Sequence, residues 1–251
     1  YEIAQCLVGS EMCIRDRLTS STGHKPRILI GKDTRQSGDM LEAALTAGLC
    51  SVGADVESLG VVPTPAVAYL VRKYNADAGV VISASHNPME FNGIKIFAGT
   101  GYKLPDEVEN EIEAYIDNQC AGLKLATGDD VGRVTYRTDG IKDYTDHLYE
   151  SINGDLSGLN VCIDCANGAS AAVARQLFPR LGAKCTLSAW SLTERTSTPV
   201  WAAPIWTIWK RLSSRAALTA ASPLTATRTA ASPATRRVRR STATRSLPCW
   251  P

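Results

Sequence analysis

Long apolar runs and aromatic residues are both scarce in this sequence of 251 residues. No stretch reaches the length of about 20 apolar residues that crosses a membrane, and aromatic residues make up 6% of the chain. We therefore expect no membrane partner. The hydrophobic share of 44% is nevertheless enough for one or two globular domains with buried cores.

Acidic residues are missing from residues 195–251, which carry ten Lys and Arg residues. The other 17 of the 27 basic residues stand against all 25 acidic ones in residues 1–194, so the body has a net charge of −8 and the tail +10. An acidic body with scattered charge gives no reason to expect a specific nucleic-acid partner. Residues 1–17 also lack the features of a secretory signal, and we predict a cytoplasmic protein.

A second cysteine pair of the CxxC type is missing as well. Cys162 and Cys165 form one such pair, but a zinc site needs further ligands at a matching spacing. The pair lies in a stretch typical of a buried strand, and the eight cysteines are spread along the chain. This pattern does not indicate a disulfide-based fold, and we interpret the cysteines as reduced and buried.

Short apolar runs alternate with amphipathic segments of helical length from Arg27 onward. This alternation predicts an α/β fold in which a mixed, mostly parallel sheet has helices on both faces. From residue 158, a strand, a DCANGAS turn, a helix and another strand predict the start of a second, similar α/β domain. The predicted strands of the first domain cover residues 27–31, 54–60, 78–84 and 93–98, and its predicted helices cover 38–53, about 63–74 and 105–118.

The most informative motif is GVVISASHNP at residues 79–88, in which an apolar strand runs into a turn. Ser85 places a hydroxyl at the end of that strand. His86 is the side chain suited to move protons near neutral pH, and Pro88 restricts the turn. This combination indicates phosphoryl transfer.

The same ten residues resemble the phosphoserine loop of the α-D-phosphohexomutases. EFNGIKIF at 90–97 resembles the strand that follows this loop, and GKDTRQSG at 31–38 resembles another segment of the family. The resemblance covers residues 25–187. It implies that Ser85 gives a phosphate to a hexose phosphate and takes the other phosphate back from the bisphosphorylated sugar.

The resemblance also implies roles for residues around Ser85. His86 and Lys95 match the acid and base of the family, although a lysine acts as a base only when its surroundings lower its pKa. The alternative for His86 is an ordinary turn residue. Arg35 and Asn87 match phosphate-binding positions; for Arg35 the alternatives are a carboxylate of the site or a surface ion pair.

Magnesium is the cofactor that the resemblance implies. Ser85 would contact Mg²⁺ through its phosphate oxygens, in keeping with the preference of this cation for oxygen ligands. The family supplies the remaining ligands from the aspartates of a DGDxDR loop, and that motif is absent from this chain. Because these aspartates and the later domains of the family are missing, we expect little or no turnover from the chain itself.

Within the family, ISASHNP, VVPTPAVAYLVRKY and GYKLPD are most similar to the bacterial enzymes that interconvert glucosamine 6-phosphate and glucosamine 1-phosphate. The resemblance thus implies a hexosamine phosphate as the substrate. Enzymes that act on mannose and glucose phosphates are the alternative. An alternative of another class is a non-catalytic fragment whose basic tail binds anions or nucleic acid non-specifically.

These observations divide the chain into five segments. We interpret residues 1–17 as a non-native leader, because nothing in them matches the opening strand of the family, and residues 188–251 as a frame-shifted or disordered basic tail. Between them we predict a first domain at 18–120, a connecting helix and linker at 121–157, and the start of the second domain at 158–187.

A shifted reading frame is the sharper interpretation of the tail. Residues 191–198 (SLTERTST) and 223–230 (PLTATRTA) can each be written in codons that encode a family motif after two bases are dropped. The motifs are PDGTNIN and FDGDADR, in the family's order and in one frame. This hypothesis predicts a slip of one or two bases in the coding DNA near Ser188.

Overall fold

A computed structural model describes residues 23–85, 87–117, 125–188 and 220–223. Its strands are β1 Arg27–Lys32, β2 Asp55–Val61, β3 Ala78–Ile82, β4 Ile94–Ala98, β5 Val134–Tyr136, β6 Asn160–Asp164, β7 Lys184–Ser188 and β8 Ala220–Pro223. Its helices are α1 Ser37–Ser51, α2 Thr64–Lys73, α3 Asp106–Asp117, α4 Gly140–Ser151 and α5 Ala171–Arg180. Within the described ranges, no helix has the length and apolar character that a membrane crossing requires.

The first sheet has the strand order β4-β3-β1-β2-β5. β1 pairs in parallel with β2 and β3, and β2 pairs in parallel with β5. β4 is antiparallel to β3, with Lys95 opposite Val81. All five residues of β3 are buried, as expected for a strand that is covered on both faces. The predicted mixed, mostly parallel sheet is confirmed.

Helices cover both faces of this sheet. Successive residues of a strand point to opposite faces, so Ile28 and Ile30 join a core with α1 and α3, whereas Leu29 joins a core with α2 and α4. The helical members of these cores include Leu41, Leu45, Leu49 and Ile112 on the first face, and Val67, Leu70, Val71 and Tyr144 on the second. The prediction of helices on both faces is therefore confirmed.

Local sequence explains where two of these helices begin. α2 starts directly after Pro63 and has Pro65 in its first turn, where a missing N–H removes no intrahelical hydrogen bond. α3 has three acidic residues in its first turn, and negative charge is favourable at the amino end of a helix.

The first sheet continues past residue 120, where the sequence predicts the end of the first domain. β5 pairs with β2, and Tyr144 of α4 lies in the core beneath α2. The segment 121–157, predicted as a connecting helix and linker, thus contains that helix as α4, which covers the first sheet, and also a strand of this sheet. β5 has only three residues, too few for the alternation over four to eight residues that predicts a strand.

The second sheet has the order β7-β6-β8 with parallel pairing throughout. β6, α5 and β7 form the predicted βαβ unit. β8 lies in the segment interpreted as a disordered or frame-shifted tail, and it pairs with β6 from Ala220 opposite Val161 to Pro223 opposite Asp164. Its sequence, AASP, has low strand propensity, so the strand depends on pairing with β6. Residues 1–17 and, in the tail, residues 189–219 and 224–251 lie outside the described residues.

Candidate functional site

The candidate site lies where two loops meet at the carboxyl ends of β1 and β3. α1 leads from β1 to β2 on one face, α2 leads from β2 back to β3 on the other, and the strand order therefore reverses between β1 and β3. Such a reversal opens a cleft in which parallel sheets commonly bind ligands. The N–H of Asp33 donates to the carbonyl of Ile82 at 3.0 Å and joins the two loops here.

Ser85 is exposed in the loop that follows β3. Its φ angle is +56°, in the left-handed region that residues with a side chain seldom adopt. Its N–H donates to the hydroxyl of Ser83 at 3.1 Å, and the N–H of Asn87 donates to the carbonyl of Ala84 at 3.1 Å. The structure thus places the predicted phosphate carrier in a tight turn directly after a buried strand.

Arg35 lies in the loop after β1, and only 5% of its surface is exposed. One terminal nitrogen of its guanidinium donates to the carboxylate of Asp33. The other donates to the carbonyl of Asn87 at 2.7 Å and to that of Ser85 at 3.3 Å. Of the alternatives for Arg35, the structure therefore shows a carboxylate partner, in a buried ion pair rather than one on the surface.

Lys95 approaches the same loop from β4. Its Nζ donates to the carbonyl of Ser83 at 2.9 Å, two residues before Ser85. Gly93 allows this close approach, because a Cβ at its position would lie 3.3 Å from the Ser83 carbonyl oxygen. The structure therefore brings Ser85, Lys95 and Arg35 to one loop.

The two remaining predicted residues adjoin Ser85 in the sequence. His86 lies outside the described residues. Asn87 is exposed, and its main chain contacts Arg35 and Ala84 as described above. The acid-base role of His86 and the phosphate-binding role of Asn87 stay predictions.

Three residues of the site were not predicted. Asp33 holds Arg35, Ser83 accepts hydrogen bonds from both Ser85 and Lys95, and the side-chain amide of Asn92 donates to the hydroxyl of Ser37 at 2.6 Å. Asp33 carries a signal in the sequence, since a carboxylate two residues before an arginine in a loop is a candidate ion pair. The contact of Ser83 with Lys95 and that of Asn92 with Ser37 join residues 12 and 55 positions apart, so no sequence motif predicts them.

The first part of the chain matches the model of one known protein family. A model of the phosphoglucomutase/phosphomannomutase α/β/α domain I matches residues 11–121. Residues 11–121 are thus similar to domain I of the phosphoglucomutase/phosphomannomutase family. The match starts at residue 11, so it includes the last seven residues of the segment 1–17 that the sequence analysis interprets as a non-native leader.

Curated proteins that are similar to this chain carry the name phosphoglucosamine mutase. The protein of Acetivibrio thermocellus is 59% identical over 166 residues, which are 66% of this chain and 37% of the relative. That of Clostridium tetani is 56% identical over 167 residues, again 66% of this chain and 37% of the relative. The chain thus spans 37% of the length of these two curated relatives.

Solved structures of the phosphoglucomutase/phosphomannomutase family share the fold. A family protein from Burkholderia thailandensis superposes with a TM-score of 0.65 over 85% of this chain and 46% of its own, at 20% identity. At this identity the likeness supports the α/β fold and nothing further.

The described residues do not complete a metal site on their own. In those residues, no three His, Cys, Asp or Glu side chains come together to hold a metal ion. Asp33 is engaged by the guanidinium of Arg35. Ser85 is a candidate ligand in this loop, and the described residues do not supply the further ligands of a complete metal site.

The CxxC of the sequence lies away from this cleft, at the end of β6. Cys162 and Cys165 are buried free thiols. Burial raises the pKa of the Cys165 thiol to about 11 and that of Cys162 above its ordinary value, and the nearby Asp164 raises both further. A thiol in such surroundings is unreactive at neutral pH, which fits a packing role in the core.

Proposed function

We propose that the protein to which this chain belongs is a phosphoglucosamine mutase, which interconverts glucosamine 6-phosphate and glucosamine 1-phosphate. The observation that carries this proposal is the exposed Ser85, held at a positive φ in the cleft between β1 and β3 of a phosphohexomutase domain I. The relatives that share 56–59% identity with this region bear that name.

The proposed chemistry assigns Ser85 as the phosphate carrier. Its phosphate passes to one hydroxyl of the hexosamine phosphate, and the serine then regains a phosphate from the other position of the bisphosphorylated sugar. Phosphoryl transfer asks the protein mainly for positioning and for neutralisation of charge. The fixed loop supplies the positioning, and His86 and Lys95 are proposed to move the protons of the attacking and leaving hydroxyls.

Magnesium is proposed as the cofactor on the basis of the family. The phosphate on Ser85 would contribute oxygen ligands to it, and the cation would neutralise phosphate charge. We further propose that the protein acts in the cytoplasm on a small-molecule substrate.

A chimera tests the proposed function. Residues 23–188 of this chain replace the matching residues of the Acetivibrio thermocellus relative, and conversion of glucosamine 6-phosphate is measured. We expect turnover by the chimera, and a loss of at least about 1,000-fold in kcat when Ser85 is replaced by Ala, because the phosphate then has no carrier.

Ser151→Ala is the matched control, since Ser151 is an exposed serine at the end of α4 whose hydroxyl donates to the carbonyl of Leu148 at 2.7 Å. The control should retain full activity. Activity that survives in Ser85→Ala, or a folded chimera without turnover, would reject the proposal.

We also propose that the residues after about 188 translate a shifted frame of a mutase gene. β8 supports this, because it ends at Pro223 beside Asp164, at the carboxyl end of the parallel strand β6. In the alternative frame FDGDADR would begin at this strand end, which is where parallel sheets bind ligands. Resequencing of the coding DNA from Gly182 onward tests the proposal, and an intact reading frame would reject it.

A further inference from the structure

Arg35 is buried, and the structure gives partners to both terminal nitrogens of its guanidinium. One nitrogen donates to Asp33, and the other is shared between the carbonyls of Ser85 and Asn87. The third nitrogen, Nε, is buried and has no hydrogen-bond partner among the described residues. Only 4% of the side chain is exposed, so the guanidinium is almost entirely shielded from solvent.

The two carbonyls that Arg35 contacts lie on either side of residue 86. Because one nitrogen of the guanidinium contacts both carbonyls, it holds Ser85 and Asn87 in a tight bend of the loop. This bend is where Ser85 has its φ of +56°, a conformation that persists only where surrounding contacts enforce it. Arg35 from the β1 side and Lys95 from the β4 side together fix this loop.

Asp33 fixes the arginine in turn. Its carboxylate accepts hydrogen bonds from the guanidinium and from the N–H of Arg35 at 3.0 Å, while its own N–H donates to the Ile82 carbonyl at 3.0 Å. The ion pair is therefore connected by a hydrogen bond to the last residue of β3. A planar fork of donors suits such a two-sided contact, whereas a lysine offers a single point charge.

We propose that Arg35, fixed by Asp33, is a positioning residue that sets the orientation of the Ser85 hydroxyl through the backbone carbonyls of the loop, and that it does not bind the phosphate of the substrate. The proposal rests on the proposed function of Ser85 as phosphate carrier. It replaces the prediction, drawn from the family resemblance, that Arg35 is a phosphate ligand.

Hydrogen exchange of the full 251-residue chain tests whether Arg35 and Asp33 stabilise the Ser85 loop. In Arg35→Lys we expect amides of residues 84–93 to exchange about tenfold faster than in the original chain, because the loop loses the contacts that connect it to the β1 side. Asp33→Asn should act in the same direction. Arg27→Lys is the matched control: Arg27 pairs with Glu57 at the other end of β1, and its replacement should leave the loop unchanged.

Peptides from β1 and β2 serve as the internal reference for folding. Faster exchange that is confined to the loop supports the proposal, whereas equal exchange in the loop of Arg35→Lys and of the original chain would overturn it. If Arg35→Lys unfolds the core, exchange in the loop of Asp33→Asn is compared with that of the original chain instead, and equal exchange would overturn the proposal.

Kinetics of the chimera distinguish positioning from phosphate binding. We expect Arg35→Lys to lower kcat roughly 10- to 100-fold through misplacement of the reacting hydroxyl, with KM for glucosamine 6-phosphate unchanged. A raised KM at unchanged kcat would instead show that Arg35 binds the substrate phosphate, and would overturn the proposal. Failure of the proposed function would be recognised by a different result, namely full activity of the Ser85→Ala chimera.

Discussion

The charged carboxylate of Glu57 in β2 connects this strand with β1 and with the residue that follows β5. Its carboxylate accepts hydrogen bonds from Arg27 of β1 at 2.6 Å and from Arg137, just after β5, at 2.7 Å. Burial raises the pKa of this carboxyl, but the hydrogen bonds from Arg137 and Arg27 outweigh burial and hold the pKa below its ordinary value. The ionised form of Glu57 is therefore the one that stabilises the fold.

The depressed pKa of Glu57 predicts how stability depends on pH. Its contribution is fully present above the unfolded-state pKa of 4.5 and is lost as the pH falls through the lower folded-state value. We expect Glu57→Gln to lower the free energy of unfolding by about 2 kcal/mol near pH 7. The difference should shrink near pH 3. Urea unfolding at the two pH values measures it, and a difference that does not change with pH would contradict the account.

At the scale of single residues, the sequence predicts which side chains meet at the loop, but not the residues that hold them there. Ser85, Lys95 and Arg35 all come to one loop, as their motifs suggest. The partners of Arg35 could not be predicted, since they depend on two loops that are 50 residues apart in sequence and meet at the edge of the sheet. Ser83 reads in the sequence as the end of an apolar strand, and its hydrogen bonds are seen only in three dimensions.

At the scale of elements, the contact of β3 with α2 depends on a strand residue without a side chain. A Cβ at Gly79 would lie 2.3 Å from a methyl carbon of Val71 and 2.9 Å from one of Val67. Both distances are far below a normal contact between carbon atoms. Gly79 thus sets how closely α2 packs on the strand that leads into the Ser85 loop.

Gly79→Ala should therefore lower the free energy of unfolding by roughly 1–3 kcal/mol, since either the helix or the strand must shift. Gly38→Ala is the control. Its Cβ would lie no closer than 3.4 Å to Lys32, and a helical alanine is favoured over glycine by up to about 1 kcal/mol. Chemical denaturation of both variants measures the difference. A Gly79→Ala variant as stable as Gly38→Ala would contradict the packing described for β3.

The elements that could be predicted are those that bury an apolar face. β1, β3 and the helices that cover them follow from apolar runs and helical periodicity, and their bounds differ from the prediction by a few residues at most. β5 and β8 could not be predicted, because Val134–Tyr136 has only three residues and Ala220–Pro223 has no apolar pattern. These two strands form only where an existing strand offers its edge for pairing.

At the scale of the molecule, helix α4 links the two sheets. Tyr144 packs in the core beneath α2 together with Val173 of α5, and Arg180 of α5 forms an ion pair with Asp146 of α4. The chain that carries these sheets spans 37% of its curated relatives. What the described part contributes to the proposed reaction is therefore the phosphate carrier and the scaffold that holds it.

The most direct test of this account is to find which side chain carries the phosphate. The chimera is incubated with glucosamine 1,6-bisphosphate and Mg²⁺, digested, and its phosphopeptides are mapped by mass spectrometry. The account predicts one phosphoryl group on Ser85, and none at this position or on a neighbouring residue in the Ser85→Ala variant. Phosphate on a different residue of the active chimera, or equal labelling of the Ser85→Ala variant, would contradict it.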